Sequence, residues 1–127
     1  MDGDEIAAIG PGMLVLIGVR AGDTAEHAER MAAKLEALRI FQDDQGKMNL
    51  NVRQAGGEVL VVSQFTLYGD TSKGNRPSFI EAARPEKAEP LYQLIRERLK
   101  AQGGEFGAHM KIKLLNDGPV TVILDHR

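Results

Sequence analysis

The chain contains no cysteine, which excludes a disulfide framework, a thiolate zinc site and a cysteine nucleophile. It has little excess charge of either sign. Against 16 Lys and Arg stand 18 Asp and Glu, a formal net charge of -2, so any contact with nucleic acid has to come from a local basic face. No apolar run approaches the roughly 18 residues of a membrane span, and no basic-then-apolar signal segment opens the chain. A cytoplasmic location with no membrane partner is the expectation. Neither a metal-ligand cluster nor a serine-histidine-aspartate signature is visible, and no cofactor is implied. What is present, 127 residues of which 43% are hydrophobic and 27% charged, suits one soluble globular domain spanning 1–127.

Taken in order, Asp2–Ile9 reads as a weak edge strand that Gly10-Pro11-Gly12 breaks. Met13-Leu-Val-Leu-Ile17 is a continuous apolar run and predicts a core strand buried on both faces. Asp23, with Glu26 three residues on, resembles a capping box, and Ala25, Ala28, Ala32, Leu35 and Leu38 recur at helical spacing. A helix over Thr24–Arg39 follows, with His27 on its solvated side. Asp43-Asp44-Gln45-Gly46 reads as a solvated turn rather than a cation site, and Met48–Val52 as a short strand behind it. Glu58-Val-Leu-Val-Val62 is the second buried run. Pro85 suits the first position of a second helix whose apolar stripe is Ala88, Leu91, Ile95 and Leu99. Pro90 requires that helix either to start late or to bend, and Gln102-Gly103-Gly104 is expected to stop it. Near the C-terminus, Met110–Leu114 and Val120–Leu124 predict two strands. The fold class expected is α+β: a twisted, barrel-like, mostly antiparallel sheet with two main helices.

Three stretches carry candidate chemistry. Ser63-Gln64-Phe65-Thr66-Leu67 places hydroxyls and an amide at the end of a buried strand, where backbone N–H groups can face an oxyanion. The plainer reading is a strand leaving the core, with Ser63 and Thr66 bonded to neighbouring backbone. Asn116-Asp117-Gly118-Pro119-Val120-Thr121 sets a rigid Gly-Pro step between two apolar runs, either as an ordinary turn or as a fixed loop that holds out backbone carbonyls. Between them, Gly69–Pro77 is a breaker-rich polar loop whose Lys73 and Arg76 are either solvated or phosphate contacts. Phe106 and Met110 are available to wall an apolar pocket, with core packing the default for both. His109, next to them, is expected to take no catalytic part.

Together, in this order and at this distance, Ser63–Leu67 and Asn116–Thr121 resemble the motifs of the bacterial and eukaryotic D-aminoacyl-tRNA deacylases. Ile9–Leu16, Gly46–Val52, Arg76-Pro-Ser-Phe79 and Phe106-Gly-Ala also agree with that family, so the resemblance covers almost the whole chain. It implies hydrolysis of the ester joining a D-amino acid, or mischarged glycine, to the terminal adenosine of tRNA. It also implies a homodimer with its sites at the interface. Carried over, Ser63, Gln64, Phe65 and Thr66 are the catalytic stretch, with Phe65 and Thr66 at the scissile ester. Gly118-Pro119 is a cis dipeptide that enters the partner's pocket and rejects L side chains, while Phe106 and Met110 line the adenosine end.

An aminoacyl ester is already activated, so backbone donors and a positioned water suffice without a triad. The resemblance leaves open whether Thr66 is a nucleophile or a scaffold assisted by the substrate's ribose hydroxyl. Family members usually carry a further strand before the position of Met1, including an arginine that holds the Gly-Pro loop. Valine usually stands at that position, so the expectation is a start placed too late on a codon able to initiate. Two rival readings are a general esterase using Thr66 and a tRNA-binding dimer without turnover.

Overall fold

The computed structural model describes residues 10–104, 106–108, 112–115 and 120–125. The two apolar runs become adjacent strands: β1, Gly12–Ile17, pairs with β4, Glu58–Ser63, in continuous register from Gly12 opposite Glu58 to Ile17 opposite Ser63. The pairing is parallel. Such strands need a crossover long enough to bring the chain back to the same end. Here that crossover carries helix α1, Ala25–Ala37, and a small antiparallel ribbon of β2, Phe41–Gln42, and β3, Met48–Leu50. A second crossover carries helix α2, Pro85–Arg98, and returns to β5, Gln102–Gly103, again parallel to β4. The α+β class and both helices are as expected. The expected antiparallel pairing holds, among the described residues, for the ribbon and for two isolated bridges, Arg20 with Ala82 and Asp70 with Ser78. The sheet β1-β4-β5 is parallel because a helix lies in each connection between its strands.

Both helices cover one face of this sheet. Met13, Val15 and Ile17 of β1 and Val59 and Val61 of β4 form one core with Ala28, Ala32 and Leu35 of α1 and Ala88, Tyr92 and Ile95 of α2. Each fully buried Val, Ile or Leu contributes about 1.5–3 kcal/mol. On the other face Leu14 is half-buried and Leu16 is 45% exposed. The expectation that β1 is buried on both faces is therefore corrected: among the described residues no helix packs on that side.

Helix α1 starts one residue later than Asp23 suggests. Thr24 is the N-cap, its hydroxyl taking the His27 N–H at 3.4 Å while His27 Nδ1 accepts the Thr24 N–H at 3.0 Å. Histidine thus fills the reciprocal role usually given to Glu or Gln. Asp23 instead closes the preceding turn through the Arg20 N–H, 2.7 Å away. The Asp43 turn is held by its own carboxylate, which accepts from the N–H groups of Gln45 and Lys47. The Lys47 contact foremost lowers the Asp43 pKa.

Helix α2 starts at Pro85 and keeps Pro90 in its interior at an exposed position. It is stopped by Lys100, which adopts φ 50°, and not by the glycines beyond, of which Gly103 belongs to β5. A Cβ at Gly103 would lie 2.3 Å from the Tyr92 hydroxyl, so glycine is needed for the helix to pack this close. The expected strands at Met110–Leu114 and Val120–Leu124 do not form in their described parts, 112–114 and 120–124. Alternation chooses a face, but a strand also needs a hydrogen-bonded neighbour. Leu114 and Ile123 there are 61% and 90% exposed. The Asp2–Ile9 strand lies outside the described residues.

Candidate active site

The site begins where β4 ends. Gln64 N–H donates to Ile17 O at 2.7 Å, extending the β1–β4 ladder by one bond. The chain then turns at once into a single 3-10 turn, Phe65–Tyr68, closed by Leu67 N–H to Gln64 O at 3.2 Å and Gly69 N–H to Thr66 O at 2.9 Å. Gly18 makes this fold-back possible. A Cβ there would stand 3.0 Å from Leu67 Cβ and 3.1 Å from the Tyr68 ring, tighter than ordinary contact. A rigid sheet thus presents a short polar turn at its edge, the placement expected of residues that do chemistry.

Within the turn, Gln64 Nε2 donates to Thr66 Oγ1. This bond fixes the threonine hydroxyl and occupies one of its lone pairs, leaving its proton free to be donated outward. Among the described residues no carboxylate or imidazole hydrogen-bonds to Ser63, Gln64 or Thr66, so no general base is in place to make Thr66 a nucleophile. The N–H groups of Phe65 and Thr66 open the turn, where a helix has no carbonyl of its own to offer them. Phe65 is 57% exposed. Its ring meets that of Phe79 edge-on, with centroids 5.1 Å apart and planes at 66°.

Of the residues predicted for the site, the structure brings together Ser63, Gln64, Phe65 and Thr66. Phe106 is half-buried and packs on the core with its ring 5.8 Å from that of Tyr92. Tyr92 in turn donates its hydroxyl to Val61 O at 2.9 Å, beneath β4. Core packing, the default reading for Phe106, is what its described contacts show. Met110, Gly118 and Pro119 lie outside the described residues, as does His109. Two neighbours of the site went unassigned in the sequence. Phe79 sits in the Arg76-Pro-Ser-Phe79 stretch, which was the available signal. Gly18 ends the first apolar run, and nothing there marks it as the seat of Tyr68.

Comparison with known proteins identifies the family. A sequence model of the family described as D-Tyr-tRNA(Tyr) deacylase matches residues 1–125. The chain is 55% identical over 126 residues to a D-aminoacyl-tRNA deacylase of Akkermansia muciniphila, covering 94% of this chain and 84% of that one. It is 52% identical over 128 residues to that of Symbiobacterium thermophilum, with 97% and 85% covered. Among solved structures it resembles the c-Myc DNA Unwinding Element Binding Protein, with a TM-score of 0.88 and 41% identity over 94% of this chain and 85% of the other. A match over nearly every residue, together with relatives at about half identity, establishes that this chain belongs to the D-Tyr-tRNA(Tyr) deacylase family.

Proposed function

We propose that this protein hydrolyses the ester that joins a D-amino acid to the 3′ end of tRNA, a chiral proofreading step of translation. The observation that carries the reading lies inside the family match: Ser63 ends the central strand and the chain passes through Gln64 into an exposed turn opened by Phe65 and Thr66, with the Thr66 hydroxyl fixed by Gln64. In this reading a water oxygen adds to the ester carbonyl carbon. The oxyanion that forms is met by the Phe65 and Thr66 N–H groups and by the outward hydroxyl of Thr66. The bond from carbon to the ribose 3′ oxygen then breaks, that oxygen takes a proton, and the amino acid leaves as its carboxylate. Thr66 acts here as an oriented donor, since Gln64 donates to it and, among the described residues, nothing basic hydrogen-bonds to it.

The same reading makes the enzyme act in the cytoplasm as one domain, paired in a homodimer whose sites lie at the interface. Gly118 and Pro119 supply the rigid probe that refuses an L side chain, and Phe106 and Met110 line the adenosine end. Glycine, having no side chain to refuse, passes the filter and is cleaved when mischarged.

The experiment is D-Tyr-tRNA deacylation by the wild-type chain and by Thr66→Val and Thr66→Ser. Valine is expected to lower kcat by about 100-fold, the loss associated with removing one oxyanion donor, and serine to retain most of the rate. Full activity in Thr66→Val would remove Thr66 from the mechanism. An inactive wild type would reject the function.

A further inference from the structure

The loop after the 3-10 turn is built more firmly than its composition suggests. Asp70 N–H donates to Ser78 O and Ser78 N–H to Asp70 O, both at 2.8 Å, so the two ends are clamped together. Inside the loop Gly74 N–H reaches Thr71 O at 3.2 Å. The acidic side chain of the loop is engaged inward, Asp70 Oδ1 accepting the Ser72 N–H at 2.9 Å. Both ends are tied to the site: the loop leaves the turn through Gly69 and returns at Phe79, whose ring abuts Phe65.

Its cations are unspent. Lys73 and Arg76 are exposed, and among the described residues neither has an acidic partner. Arg20, Arg30, Arg53, Arg84 and Arg98 have one, and Arg39 and Arg96 are held by the amides of Asn49 and Gln93. In a chain of net charge -2, two free cations on a clamped loop beside the reacting turn mark a local attraction for anions. The loop tip is at most four residues from the clamp, and at about 3.5 Å per residue it stays within about 14 Å of it. That is close enough to meet the nucleotides that enter with a 3′-terminal ester.

From this placement we infer that the 70–78 loop is a phosphate platform for the acceptor 3′ strand of the tRNA, with Lys73 and Arg76 holding backbone phosphates next to the terminal adenosine. The inference rests on the D-aminoacyl-tRNA reading and adds to it a surface and its residues.

The test compares kcat/KM on D-Tyr-tRNA with kcat/KM on D-tyrosine esterified to the 3′ oxygen of adenosine alone, which has no phosphate. For Lys73→Ala/Arg76→Ala the tRNA value is expected to fall at least about tenfold at low salt. Its log-log salt slope should flatten by about 1.4, near 0.7 for each single-strand phosphate no longer neutralised. The rate on the adenosine ester should hold, and Lys73→Arg/Arg76→Lys should restore the tRNA value. Equal losses on both substrates would make the loop a brace for Thr66 and overturn the inference, as would an unchanged salt slope. If the wild type cleaves neither substrate, the deacylase reading fails on its own. The loop is then judged by affinity for uncharged tRNA, where the same loss and flatter slope support it and an unchanged affinity overturns it.

Discussion

Tyr92 shows how one side chain joins packing to the site. Its ring is 1% exposed, and its hydroxyl ties α2 to β4 two residues before Ser63. Burial, partly offset by Arg96, raises its pKa above the ordinary 10.0, since the phenolate is the form that loses water. The folded chain therefore holds the phenolic proton more tightly than the unfolded chain does. That contribution is complete below pH 10 and is lost as the pH climbs through the raised value. Tyr92→Phe is expected to cost about 1 kcal/mol near neutrality, the net worth of one hydrogen bond. It should also flatten the loss of stability above pH 10, and urea unfolding at pH 7, 9 and 10.5 reads both effects. A variant as pH-sensitive as the wild type would show that this hydroxyl is not what titrates.

The helices carry two local decisions of opposite sign. Thr24 caps α1 through a box completed by His27, and Thr24→Ala is expected to cost about 1 kcal/mol. Pro90, inside α2, has no N–H for the carbonyl one turn back, and its ring lies at an exposed position. Pro90→Ala should stabilise the protein by on the order of 1–3 kcal/mol. Thermal midpoints of the two variants should move in opposite directions, and a lower midpoint for Pro90→Ala would mean that the ring packs against something. Both helices were legible from their 3.6-residue stripes, and β1 and β4 from their apolar runs. The cap was not, because Asp23 with Glu26 imitates the usual box while histidine fills the real one. Nor was β5: two residues, one of them glycine, carry no side-chain alternation. They become a strand because the tight approach of Tyr92 at Gly103 sets that segment beside Val61. Parallel pairing likewise comes from the crossovers and leaves no mark in either run.

At the scale of the molecule, a parallel sheet with both helices on one face ends in a polar turn that offers hydrogen-bond donors. The turn could be read from Ser63–Thr66 standing behind a buried run. Its support by Gly18 and Phe79 could not, since each acts on residues far away in sequence. The proposed function is selective cleavage of D-aminoacyl esters on tRNA. It is tested by kcat/KM of this chain on D-Tyr-tRNA and on L-Tyr-tRNA under the same conditions. A D preference of at least about 100-fold is expected, because excluding a clashing substituent is worth several kcal/mol and each 1.4 kcal/mol is tenfold. Equal cleavage of the two, or faster cleavage of the L form, would contradict it.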